Sequence, residues 1–347
     1  MVKELIKISK YAGMREDLVQ ASGGNSSVKL SDGKMIIKGL GIQLADVNEN
    51  FGYATVDLNV FRNFFRQYHS GDIGSDTAEK LQERAFLKGC KPAVETYFHA
   101  LTDRVTLHTH PELINVLTSR KGGMEVLRSL FPDALMLNYA APGLSLGIEL
   151  YEKMESQTSM SFSGIAFMKN HGLLVSGKTA DEVIAETEYV IERVATYLKY
   201  ENYANSNVTK IYQWLAQKTD MSGKIVYCTT NRKIISGQAA LSKKQYMFCP
   251  DGIVFCGKEI LVLDEGKEIA QIEKYIADLG CPSVLIYQRN VYIIASSIKK
   301  AKEIESVVAF CSEVAELNRG FDMDFLTDKE ADYLLNWEVE KYRKNMQ

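Results

Sequence analysis

Histidine is scarce in this chain, with five among 347 residues, and so are proline (6), cysteine (6) and tryptophan (2). The six cysteines, Cys90, Cys228, Cys249, Cys256, Cys281 and Cys311, form no CxxC pair. That argues against a zinc ribbon and leaves reduced thiols as the expectation. No stretch is long and apolar enough to span a membrane. The opening "MVKELIKISKYAGM" reads as an amphipathic helix and lacks the apolar centre of a signal peptide, so a cytoplasmic location is expected. A net charge of -3, with both signs interspersed, gives no reason to expect nucleic acid or an anionic membrane as partner. There is no GxGxxG, no repeat of solenoid period and no low-complexity tract.

What is present is an ordinary globular composition, 46% hydrophobic and 24% charged, at a length suited to two domains. Residues 3–13 read as a helix, and "NSSVKLSDGKMIIKG" as two strands joined at Ser31-Asp32-Gly33. "TVDLNVFRNFFRQYH" passes from strand to helix. "KPAVETYFHALTD" reads as helical, with Pro92 suited to its first turn. "RVTLHTH" is a strand, and "PELINVLTSRKGGMEVLRSLF" a helix broken at Gly122-Gly123. "SGIAFMKNHGLLVSG" is two apolar strands around Asn170-His171-Gly172, and Thr179 caps a long helix. Near residues 205–222 the pattern changes to a connecting helix and loop. A smaller α/β unit follows, with "KIVYC", "DGIVFCG" and "VLIYQRNVYII" as strands and helices at 266–279 and 298–318. A last helix starts near Thr327, which has capping-box spacing to Glu330, and Tyr333 and Trp337 form a packing stripe on it. The expected domains are 1–205, catalytic, and 206–347, a smaller α/β domain with a helical tail.

His108 and His110 alternate on a strand and so share a face, which makes half of a metal site. Alone, the pair reads equally as two strand histidines held by hydrogen bonds. His171 stands at a turn between apolar strands, where a side chain can reach a cleft. Glu95 and His99 are one helical turn apart. Glu95 could be a first-turn surface carboxylate, and His99 reads as a structural hydrogen-bonding residue. "ASGGNSS" (21–27) can present backbone N–H groups to an anion, or be a plain glycine turn.

The ordered set "GGNSS" (23–27), "KPAVET" (91–96), "HTHP" (108–111) and "KNHGLLVSG" (169–177) resembles the class II aldolase/adducin family over residues 1–200. The likeness is nearest to the aldolase portion of proteins that fuse this unit to a short-chain dehydrogenase, and "CPDGIVFCG" looks like part of their second unit. The resemblance implies an α/β/α sandwich around a mostly antiparallel sheet, assembled as a homo-oligomer, usually a tetramer, with sites between subunits. It implies His108, His110 and His171 as ligands of Zn²⁺, or of Mn²⁺, Co²⁺ or Ni²⁺, and Glu95 as catalytic acid/base. Gly24, Asn25 and Ser26 would bind substrate with the neighbouring backbone. The implied activity is a metal-dependent aldolase, cleaving a ketose or ketose phosphate through a zinc-stabilised enediolate. A dehydratase or epimerase on the same scaffold, or a non-catalytic adducin-like module, are the alternatives. Family epimerases place aspartate at position 95, so glutamate favours the lyase. Sugar-phosphate members carry two serines and a threonine where Ala93, Val94 and Leu40 stand here, which leaves Lys38 as the charge for an anionic substrate.

Overall fold

The computed structural model describes residues 2–68, 77–154, 161–200 and 203–336. The chain separates into two compact units, Met1–Glu201 and Asn202–Gln347. Among the described residues no helix is long and apolar enough to cross a membrane.

The first unit is built on strands β1 (Asn25–Lys29), β2 (Lys34–Lys38), β3 (Tyr53–Asp57), β4 (Phe86–Gly89), β5 (Val105–Thr109), β6 (Leu135–Leu137), β7 (Gly164–Met168) and β8 (Gly172–Gly177). They form one sheet in the order β4-β3-β2-β1-β5-β8-β7-β6. Every pairing is antiparallel except β6 with β7. Helices α1 (Val2–Gly13), α2 (Leu58–Gln67), α3 (Thr77–Ala85), α4 (Thr96–His99), α5 (Glu112–Thr118), α6 (Gly123–Leu130), α7 (Leu144–Lys153) and α8 (Ala180–Leu198) cover it. This is an α/β/α sandwich.

Strand alternation divides the apolar residues into two cores. Val28, Ile36, Val105, Leu107, Phe167 and Val175 face Leu5, Ile8, Ile114, Leu127, Val183 and Val190 of α1, α5, α6 and α8. Met35, Ile37, Val56, Ala166, Met168 and Leu174 face Phe61, Phe65, Leu81, Phe98 and Leu150 of α2, α3, α4 and α7. Each fully buried side chain of this kind stabilises by about 1.5–3 kcal/mol relative to exposure. On β5 the odd residues fill the first core. The even ones, Thr106 and His108, therefore point to the second face, and that requirement puts histidine at alternate positions. α8 starts where expected, with the Thr179 side chain accepting from the Glu182 N–H.

Two sequence readings are corrected here. Residues 91–103 are not one helix: only Thr96–His99 is helical. Pro92 instead lies in extended chain, bridged to Gly39. Residues 251–257, expected as a strand, lie instead in the helix Pro250–Cys256 and its Gly257 cap. Pro250 at its first turn and the Cys249 cap, accepting from the Gly252 N–H, outweigh the β-forming run Ile253-Val254-Phe255.

The second unit carries a sheet in the order β10-β11-β12-β9, from β9 (Ile225–Cys228), β10 (Leu261–Leu263), β11 (Val284–Tyr287) and β12 (Asn290–Ala295). Its helices are α9 (Tyr203–Ala216), α10 (Arg232–Ser242), α11 (Pro250–Cys256), α12 (Glu268–Leu279), α13 (Ile298–Leu317) and α14 (Asp328–Asn336). The Thr327 hydroxyl accepts from the Glu330 N–H while the Glu330 carboxylate accepts from the Thr327 N–H, completing the capping box. Tyr333 is exposed, and Trp337 lies outside the described residues.

Candidate metal and catalytic site

Four side chains converge at the centre of the first sheet. One ligand atom each from Glu95, His108, His110 and His171 lies within 4.8 Å of all the others. His108 Nε2 is 3.2 Å and His171 Nε2 3.8 Å from Glu95 Oε1. His110 Nε2 and His108 Nε2 face each other at 3.1 Å.

Each arrives by a separate device. His108 sits in β5 and is fully buried. Its Nδ1 donates to the Leu173 carbonyl on neighbouring β8 at 3.0 Å, which fixes the proton on that nitrogen and leaves the Nε2 lone pair for the cluster. His110 lies one residue past β5, where its N–H bonds the Leu18 carbonyl at 2.9 Å. Arg15 grips Asp17 with two hydrogen bonds and so anchors the segment that carries Leu18. His171 is delivered by the tight β7–β8 turn. There Asn170 takes a left-handed φ of 54°, its N–H bonds Thr118, and the His171 N–H bonds Met168. Glu95 precedes the single turn of α4.

The electrostatics suit neutral imidazoles. Burial, the largest cause, together with the crowding of the neighbouring imidazoles, pushes His110 down to about 3 and His171 down to about 4. Burial would raise the Glu95 carboxyl, but the facing histidines, His108 foremost, outweigh it and hold the carboxyl well below the usual carboxylate range. Three imidazole nitrogens with free lone pairs beside one carboxylate form a donor set that can hold a divalent ion of the zinc type.

The other candidate residues divide. Asn25 on β1 lies in register with His108, on the same face of the sheet, with its Oδ1 accepting from the Ser26 N–H. Ser26 faces the opposite side, where its hydroxyl bonds Ser9 of α1 at 2.6 Å. Gly24, at φ 71°, lets the loop pass the His108 carbonyl, which a Cβ would meet at 2.9 Å. Lys38 is buried and donates to the carbonyls of Ser22 and Ile42 at 2.8 and 2.7 Å. Its ammonium thus clamps the glycine loop, and burial pushes it down to about 8, against the pull of Glu95.

Gly23, read in the sequence only as part of the GGNSS turn, packs against His110. A Cβ there would lie 2.9 Å from His110 Nδ1, a contact between residues far apart in sequence. A Gly23→Ala variant should keep its sheet by circular dichroism yet bind metal roughly 10–100-fold more weakly, the usual loss for a residue that orients a ligand. Chelator competition reads this. Wild-type affinity would show that the ring moves aside freely.

The family model for the class II aldolase and adducin N-terminal domain matches residues 3–198. No curated protein matches the chain. Among solved structures, the N-terminal class II aldolase domain of a conserved protein from Thermoplasma acidophilum is 20% identical, over 57% of this chain and 93% of that one, with a TM-score of 0.49. A sugar-phosphate aldolase from Thermotoga maritima is 17% identical, over 57% and 93%, at 0.42. An aldolase II superfamily protein from Pseudomonas syringae is 12% identical, over 89% and 92%, at 0.36. Because the matched span is more than half of the chain and contains all four side chains of the cluster, this protein belongs to the class II aldolase and adducin family.

Proposed function

We propose that this protein is a metal-dependent aldolase, a carbon–carbon lyase acting on a ketose. The observation that supports this reading is the convergence of His108, His110 and His171 on the ionised, nearly buried Glu95. A divalent ion held by the three imidazoles, Zn²⁺ by donor type and replaceable by Mn²⁺, Co²⁺ or Ni²⁺, would polarise a ketose carbonyl and stabilise negative charge developing on its oxygen. Glu95 would then move the proton at the carbon next to that carbonyl. Its carboxylate is in a site walled by Phe98 and the three histidines, where little water competes for it. An adducin-like module without catalysis would have no use for a complete ligand set and a charged carboxylate buried with it. Dehydration and epimerisation use the same parts, and the products separate them.

The substrate's far end is read from the surroundings of Glu95. Beside that segment lies a cavity of about 690 Å³, lined by Leu40, Phe86, Pro92, Val94, Tyr97 and Leu144, with Glu79 and Glu83 against the single cation Lys91. Leu40 and Val94 are 46% and 42% exposed there. The one hydroxyl in these walls, that of Tyr97, already donates to the Ala78 carbonyl at 2.7 Å, and Lys38 has spent two of its three protons on the loop. The charge balance opposes an anion, and an unphosphorylated sugar fits better. On a panel of ketoses and their 1-phosphates, the Zn²⁺-loaded protein should release aldehyde from an unphosphorylated ketose with kcat/KM at least about tenfold above its phosphate, a difference of about 1.4 kcal/mol. Preference for the phosphates would overturn the substrate assignment. Absence of any aldehyde product would overturn the lyase.

A further inference from the structure

Behind Glu95 runs a buried polar chain that the lyase reading leaves without a task. Lys29, at the end of β1, is buried, has no carboxylate partner among the described residues, and donates to the hydroxyls of Thr102 and Thr106, with Ser27 Oγ 3.5 Å away. Ser27 Oγ is 2.8 Å from Nδ1 of His99, which is fully buried. His99 Nε2 has no hydrogen-bond partner.

The order of donors sets the polarity of the chain. Lysine donates and cannot accept while charged, so Ser27 Oγ is an acceptor on that side and its own proton is free for His99 Nδ1. His99 then carries its proton on Nε2, as a buried donor facing no acceptor. A buried donor left unpaired is destabilising, and an acceptor within reach would relieve that cost. Glu95 is the nearest ionised candidate by connectivity: the two residues are one turn apart, with the His99 N–H bonded to the Glu95 carbonyl at 3.3 Å. His99 rests over Ser27, and Ser27 stands two residues along β1 from Asn25, the register partner of His108. Two residues of strand are about 7 Å, and Ser27 and Asn25 share one face of the sheet with His108, so His99 and Glu95 both lie on that face. A ketose entering the cluster needs the space Glu95 Oε1 occupies between His108 and His171.

We infer that His99 Nε2–H is a second resting place for the Glu95 carboxylate, occupied when a substrate displaces it from His108. His99 is thus a positioning residue for the proton carrier, with Ser27 and Lys29 holding its tautomer. The inference rests on the lyase reading for its kinetic consequences, while its structural half is read without turnover.

In ¹⁵N-edited spectra of the protein loaded with Zn²⁺, His99 should be the Nε2–H tautomer. Adding hydroxyacetone as a small ketol probe should move that proton downfield in wild type and leave it in place in Glu95→Ala. An Nδ1–H tautomer, or no movement in wild type, would overturn the inference whatever the protein catalyses. On the best ketose, His99→Phe should lower kcat about 10²-fold with KM and metal content kept, and His99→Gln, which restores an N–H, should recover most of the loss. The double variant His99→Phe/Glu95→Gln should be no slower than Glu95→Gln alone, since a residue acting through Glu95 has nothing left to position. Additive losses would overturn the link. If His99→Phe does not fold, the spectra of wild type and Glu95→Ala still decide.

Discussion

His110→Ala should lose nearly all of its divalent metal while keeping its fold. Among the three imidazoles His110 is the cleanest to remove. His108 lies inside β5 and satisfies the Leu173 carbonyl, so its loss would orphan a buried acceptor and leave a cavity in the second core. His171 is bound up with the strained turn at Asn170. His110 stands past the strand end, is partly exposed, and fixes its backbone through Leu18 rather than through its ring. Its truncation removes one of three nitrogens and little else. Affinity should fall by more than about 100-fold, beyond what loss of a merely orienting residue costs. Elemental analysis after purification checks it, together with a thermal melt to establish folding. Unchanged metal-to-protein stoichiometry in a folded variant would remove His110 from the ligand set.

Glu95→Gln should retain fold and metal yet lower turnover by about 10²–10⁴-fold, the span usual for loss of an acid/base group. The amide has the shape of the carboxylate, and its NH₂ group can donate to the His108 Nε2 lone pair, so packing around Phe98 and the histidines is kept. What it lacks is a site for the proton. The expected signature is a fall in kcat with KM little changed, because the residue acts in the transition state more than in binding. A rate within a few-fold of wild type would show that another group carries the proton.

Much of the first unit was legible because strand alternation and caps are local. The β1–β2 pair around Gly33, the β7–β8 pair around His171 and the Thr179 cap each follow from a few neighbouring residues. The cysteine-flanked segment 249–257 was misread because its apolar, β-branched composition suits a strand, and only the proline and cap at its start mark the helix. β4 gave no alternation, since all four of its residues are exposed at the sheet edge. The positions of the three clustered histidines could be proposed from spacing and family likeness, but their supports could not. Gly23 touches His110, Ser27 touches His99, and Leu173 fixes His108, all between residues distant in sequence. Lys38 was expected as a free charge because sequence shows the ammonium and hides the two carbonyls that hold it.

The placement of β5 has a consequence for how the protein breathes. The strand is flanked by β1 and β8, and its neighbours continue through β2 and β7 before either edge is reached. Local openings in a folded protein begin at elements with exposed backbone bonds and few buried contacts, and the innermost strands part last. Here His108 is on the innermost strand, Asn25 on one neighbour, and His171 at the entrance to the other. Fraying of β4 or β6 therefore leaves the ligand geometry untouched. The Glu–His cluster belongs to the most cooperative part of its unit, and it is lost only when the whole sheet comes apart.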